Sequence, residues 1–185
     1  DPYDAEVSDE WRAEYMDVIE ACPWLDFILL TKRPQVAMKF HHGRKVPDNL
    51  WPGITAENKK MLDLRAPTIC SIKAKVHVLS AEPLLREIDA SAYLGTGRNS
   101  LSWVIAGGES GPKARPSHPG WFRALRDQCR AAGVPFFLKQ WGEWTPGENV
   151  ERTAGTVRTA TWFGGAWSFD RENLASDDGH VDDQP

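Results

Sequence analysis

The chain has 185 residues, 41% of them hydrophobic and 26% charged, with a net charge of −4 at neutral pH. No apolar run approaches the roughly 20 residues of a membrane helix, and no basic stretch leads into an apolar one as in a secretory signal. From Glu151 onward the acids carry the whole net charge, so residues 1–150 are neutral overall and lack the basic excess of a strong nucleic-acid binder.

The first predicted element is a helix. Ser8 is a good N-cap, Trp11, Tyr15, Val18, Ile19 and Cys22 form one apolar stripe, and Pro23 stops it. Five strand-like runs follow, beginning near Asp26 (DFILL), Leu50 (LWPGI), Val76 (VHVLS), Trp103 (WVIAG) and Pro135 (PFFLK). Their spacing is close to the roughly 30 residues of a strand plus its returning helix. They are continuously apolar rather than alternating, as in parallel strands covered on both faces. Helices are expected over 34–41, over 57–66 up to Pro67, and from Pro119 to Gly133. Segment 84–101 is ambiguous between a helix and a loop, with Gly95, Gly97, Asn99 and Ser100 arguing for a loop before the next strand.

The order predicts an α/β fold of parallel βα repeats. A doubly wound sheet or part of a βα barrel both fit, and five strands cannot close an eight-stranded barrel. We expect a partial TIM-like barrel over 1–145 that lacks its N-terminal strand or strands. A C-terminal extension follows over 146–185. In it TVRTATWF-GGA-WSFD suggests a hairpin, and 175–185 an acidic disordered end. The chain starts Asp1-Pro2-Tyr3 without an initiator Met, which fits a fragment or a processed start. Its first strand should then present an open edge, with poor solubility or self-association in isolation.

Cys22, Cys70 and Cys129 are odd in number and far apart, with no metal-binding spacing. Buried thiols in a reducing, cytoplasmic compartment are expected.

Each strand runs into a polar cluster: Thr31-Lys32-Arg33, Thr55-Ala56-Glu57-Asn58, Ser80-Ala81-Glu82, Gly107-Gly108-Glu109-Ser110, and Lys139-Gln140-Trp141. Parallel α/β folds bring all C-terminal strand ends to one face, where active sites sit. The clusters should therefore converge, joined by Arg115 and His118 from the loop after the fourth strand. Lys32, Arg33, Arg115 and Lys139 offer positive charge, and Glu57, Glu82 and Glu109 offer carboxylates. Such a mixture suits a polar small molecule or a nucleotide. Glu82, Glu109 and Lys32 are the best catalytic candidates. Glu57 and Glu109 also suit helix N-termini, His118 a helix cap, and Trp141 simple packing. The glycines of VIAGGESGPKARPSHPGW match neither a P-loop nor GxGxxG, but permit close backbone approach.

FILLTKRP, GITAEN, LSAEPLL, VIAGGESGPKARPSHPGWFRALRDQC and AGVPFFLKQWG together resemble an uncharacterised phage-associated protein family over roughly residues 8–145. Full-length members resemble radical S-adenosylmethionine enzymes, with an N-terminal three-cysteine motif expected to hold a [4Fe-4S] cluster. The resemblance implies that this chain is the C-terminal part of such a barrel, partnered by the missing N-terminal segment of the same protein. Cluster and S-adenosylmethionine would belong to the full-length protein, and this chain alone would hold no cofactor or metal. Gly107-Gly108-Glu109 matches in letters the motif that holds the methionine amino group in those enzymes, although there it follows an early strand. A metal-free hydrolase or lyase, with Glu82 or Glu109 as base and Lys32 or Lys139 acting electrostatically, is the alternative enzyme. A non-catalytic phage module binding nucleic acid is the third reading.

Overall fold

The computed structural model describes residues 1–146, 158–163 and 166–169. In chain order the elements are α1 (Asp9–Ala21), β1 (Phe27–Thr31), α2 (Pro34–His41), β2 (Leu50–Thr55), α3 (Lys59–Cys70), β3 (Val78–Ala81), β4 (Trp103–Gly107), α4 (Pro119–Ala131), β5 (Phe136–Gln140), β6 (Trp144–Pro146), β7 (Arg158–Phe163) and β8 (Ala166–Phe169). Strands β1 to β5 form one parallel sheet in sequential order. A doubly wound sheet reverses its strand order at a switch point, and this one does not. The sheet is open, with β1 and β5 as its edges. Helices α2, α3 and α4 separate successive strands, and β3 passes to β4 through the loop expected over 84–101.

The β7–β8 hairpin forms where the glycine turn was expected, pairing Trp162 with Trp167. With β6 it makes a second, three-stranded sheet. The acidic end over 175–185 lies outside the described residues.

Two helices differ from expectation. In α1, Trp11 is 67% and Val18 54% exposed, while Arg12 and Ile19 are buried. The inward stripe is thus Arg12, Met16 and Ile19, next to the more apolar stripe on the helix surface. An arginine can point inward here because its head is fully engaged. It donates to the Pro2 carbonyl (3.0 Å), the Asp4 carbonyl (2.7 Å) and the Asp9 carboxylate (2.6 Å). In α3 the helix runs through Pro67 to Cys70. Proline forgoes one backbone hydrogen bond, but the extra turn buries Ile69 and Cys70.

The two faces of the parallel sheet differ. Residues paired across parallel strands share a face. One face presents Leu50, Ile54, Leu79, Val104 and Ala106, all fully buried in the core. The other presents Ile28, Leu30, Trp51, Trp103, Ile105 and Phe137. These are equally apolar, yet none belongs to the core cluster, and Phe137 is 53% exposed. Trp51 and Trp103 lean together across Val78, rings edge to face at 5.2 Å. No helix among the described residues is long and apolar enough to cross a membrane.

Candidate functional site

The open face changes character along the strands. Below, it is the tryptophan pair and aliphatic side chains. At the C-terminal ends it carries Thr55, Ser80 (paired with Thr55 in register) and Lys139. Glu82 joins them from just after β3. Its Oε2 accepts from the Ser80 hydroxyl (3.2 Å) and from Lys139 Nζ (3.4 Å). Among the described residues its Oε1 is buried with no donor, and the Thr55 hydroxyl is buried with no partner. The Trp51 indole nitrogen is a third buried polar atom without a partner on this face. Buried polar groups are normally satisfied, so three orphans on one sheet face are unusual.

Gly107 makes this arrangement possible. A Cβ there would collide with Glu82 Oε1 and lie 3.1 Å from its Cδ. A side chain at 107 would therefore push the carboxyl off the sheet. A bulge between Ala106 and Gly107 shifts the β4–β5 register, so that Gly107 pairs with Gln140 and Lys139 is left between.

The rest of the rim is occupied by its own structure. Glu109 is bound by Arg115 at both oxygens, Nη2 to Oε1 at 2.7 Å and Nε to Oε2 at 2.8 Å. The Arg115 backbone N–H also donates to Oε2, at 2.8 Å. The guanidinium beside it holds the Glu109 carboxyl below the usual carboxylate range. Gln140 donates to Ser110 Oγ (2.9 Å). Gly108 packs backbone to backbone against Trp141 and Gly142. The Trp141 ring meets Phe122 edge-on at 5.0 Å and belongs to the packing around the core.

Other expected rim residues serve helix ends. Asn58 Oδ1 caps α3 by accepting from the Met61 N–H (3.0 Å). His118 Nδ1 accepts from the Gly120 N–H (3.0 Å) at the start of α4. Its ring also stands near those of Trp121 and Trp167. Glu57 pairs at 3.3 Å with Arg65, which also donates to the Thr55 carbonyl (2.8 Å).

At the β1 end the N-terminal residues lie over the rim. Thr31 donates to the Asp1 carboxylate (2.7 Å) and Arg33 pairs with Asp4 (2.6 Å). Tyr3 is fully buried, its hydroxyl 2.9 Å from His41 Nε2. Lys32 is exposed beside them. Sequence reasoning missed Arg65 and the Tyr3–His41 pair, because each matters only through a contact distant in the chain.

The structure thus gathers Thr55, Ser80, Glu82, Gly107 and Lys139 into one cluster. It uses Arg33, Glu57, Asn58, Gly108, Glu109, Ser110, Arg115, His118, Gln140 and Trp141 within ion pairs, caps and loop packing. The cysteines do not fit an iron–sulfur cluster. They lie at the ends of α1 and α3 and within α4. Burial pushes the thiols of Cys70 and Cys129 up to about 12 and about 11, whereas a cluster needs several adjacent thiolates. Among the described residues no group of His, Cys, Asp and Glu could hold a metal ion.

No curated protein and no solved structure matches the sequence. A family model does match, over residues 1–169, and so reaches beyond both ends of the stretch 8–145 that the motifs cover. The chain belongs to that family, described as protein of unknown function (DUF5131).

Proposed function

We propose that this chain forms the ligand-binding arc of an enzyme built on a βα barrel, with the C-terminal strand ends as its working face. The observation that carries the reading is Glu82. It stands at the rim of a half-buried apolar sheet face, with one oxygen held by Ser80 and Lys139 and the other, among the described residues, buried without a donor, so that a ligand meets it once the carboxyl turns outward. An unsatisfied carboxylate oxygen is costly in a merely structural role. It is useful where a ligand brings an N–H or O–H. Lys139 is half-exposed and held at 3.4 Å, free to turn toward an anionic part of the same ligand. A polar small molecule or nucleotide with its apolar part on Leu30, Ile105 and Phe137 meets these demands.

On the resemblance to radical S-adenosylmethionine enzymes, the full-length protein would carry a [4Fe-4S] cluster and S-adenosylmethionine. Cys22, Cys70 and Cys129 do not fit that cluster, so its ligands would come from another segment of the protein, adjoining the open β1 edge. Glu109 would contribute little to such a site, since Arg115 already takes both its oxygens.

Glu82→Gln is the test. The change keeps shape and removes the charge, and a half-exposed ion pair is worth under about 1 kcal/mol. The variant should therefore melt within a few degrees of the parent. Calorimetric binding of S-adenosylmethionine or mononucleotides to the full-length protein should weaken by at least tenfold in the variant. Equal affinity for every ligand that binds the parent would remove Glu82 from the site.

The same pairing of Glu82 with Lys139 favours a second reading, a metal-free hydrolase or lyase with Glu82 as base and Lys139 steadying developing negative charge. Turnover that persists after iron and S-adenosylmethionine are removed would select it.

A further inference from the structure

A separate basic cleft lies away from the strand-end cluster, between the N-terminal residues, α1 and α2. Its volume is about 540 Å³, and Lys39, His42 and Arg44 line it beside Val7, Val36 and Phe40. The stretch Lys39-Phe40-His41-His42-Gly43-Arg44-Lys45 is the densest run of basic side chains in the sequence. Gly43, at φ 74°, turns the chain so that the Arg44 guanidinium comes back over the Phe40 ring, 4.7 Å from its centroid.

The charge here is not neutralised. Among the described residues none of Lys39, His42, Arg44 and Lys45 joins an ion pair; other unpaired bases, such as Lys60, Arg86 and Arg123, are scattered, whereas these stand together. The one acid lining the cleft, Asp9, is taken by Arg12 at 2.6 Å. Basic groups at the end of α2 do complement the helix dipole, which accounts for Lys39 and His41 in its last turn. It does not account for Arg44 and Lys45, which lie beyond the helix. The field is felt locally. His41, buried beneath this run, is held down to about 4, first by burial and then by the Arg44 charge.

We propose that this cleft binds the phosphate of a nucleotide, either free or within a single strand. Lys39 and Arg44 take the phosphate oxygens, and the base lies on Val7, Val36 and the outer face of the Arg44 guanidinium, which the buried Phe40 ring backs. Concentrated unpaired cations, one of them a planar guanidinium held flat by the ring beneath it, suit this ligand, since stacking and phosphate contact are the two parts of single-strand binding. The proposal is independent of Glu82.

The test is fluorescence anisotropy on the intact protein with a labelled oligothymidylate of about ten nucleotides at about 50 mM salt. AMP and inorganic pyrophosphate serve as unlabelled competitors. The double variant Lys39→Gln/Arg44→Gln should bind at least tenfold more weakly. Its salt dependence should be shallower by about 1.4 in log–log slope, the amount for two lost single-strand phosphate contacts. Arg44→Lys, which keeps the charge, should retain most of the binding, and Arg130→Gln, on α4, should bind like the parent. Competition by AMP at comparable concentration assigns a free nucleotide, and its failure assigns a strand. The proposal is overturned if no phosphate probe binds the parent. A double variant that melts like the parent and binds with unchanged affinity and slope overturns it equally.

Discussion

Gly107 and Gly108 are adjacent and identical, yet their replacement by alanine should have opposite consequences. At Gly108 a Cβ would collide with the Trp141 carbonyl oxygen and sit 2.6 Å from its carbonyl carbon. These are backbone atoms, and they cannot retreat. Gly108 N–H donates to the Gln140 carbonyl (3.0 Å) and Glu143 N–H to the Glu109 carbonyl (2.8 Å), which locks the two loops together. Gly142 closes the contact from the other side. It has φ 85°, and its own Cβ position lies 2.6 Å from the Gly108 carbonyl carbon. Relief means separating the loops. That costs two hydrogen bonds at about 1 kcal/mol each plus overpacking strain of about 1–3 kcal/mol. Gly108→Ala should therefore lose about 3–5 kcal/mol, a fall of about 10 °C in melting temperature for a domain of this size. At Gly107 the obstacle is the tip of the Glu82 side chain, which can rotate away. Gly107→Ala should cost about 1 kcal/mol but displace the carboxyl, and with it the ligand binding assigned to Glu82. Circular-dichroism melts and urea titrations of the two variants decide the matter. A Gly108→Ala protein melting within a degree or two of the parent would refute the account of the loop crossing. So would a Gly107→Ala protein less stable than Gly108→Ala.

Asn49→Ala should destabilise by about 2 kcal/mol, because the Asn49 amide donates to the carbonyls of Ile19, Cys22 and Leu25 and ties the end of α1 to β2. A urea midpoint unchanged by that substitution would count against it. Stability should also fall as pH drops from about 6.5 toward about 4.5. Burial holds His41 and His77 below their usual range in the folded protein, His41 at about 4. The unfolded chain therefore takes up protons that the folded one does not, and the His41 contribution levels off as pH passes its folded value. The loss from His41 is on the order of 2 kcal/mol. Urea midpoints at pH 7.5 and 5 should differ in the parent and differ less in His41→Asn. No pH dependence in this window, which lies above the exposed carboxylates, would contradict the burial argument.

The sheet was legible because buried parallel strands leave an unambiguous trace. WVIAG became β4 residue for residue, and the other four runs lie within two residues of their strands. Helix termini were legible from chemistry: Ser8 and His118 cap as their side chains allow, and Gly133 sits at φ 67° just past α4. The inward stripe of α1 was not legible. Apolarity favours Trp11, Tyr15 and Val18, and the choice of Arg12 depends on the carbonyls of Pro2 and Asp4, which the N-terminal residues bring there only in the folded chain. The candidate site divides the same way. Strand-end position correctly brought Thr55, Ser80, Glu82 and Lys139 to one rim. It could not separate Glu82 from Glu109, because that difference lies in Arg115 folding back over six residues of loop.

The least legible property of the sheet bears most directly on function. A continuously apolar strand says that both faces are hidden from water, without saying by what. Here one face is hidden by helices, while the other is only half-buried, with Ile28, Leu30, Trp51, Trp103, Ile105 and the exposed Phe137 on it. Apolar selection on that face therefore serves something outside the described residues. Trp51, Thr55 and Glu82 each bury a polar atom with no partner there, so whatever completes the face brings hydrogen-bonding groups as well as bulk. A purely aliphatic cover would leave three desolvated groups unpaired, at about 1–3 kcal/mol each. A ligand or a further strand that offers donors to Glu82 and an acceptor to Trp51 removes that cost, and the apolar face and the orphaned atoms then have a single explanation.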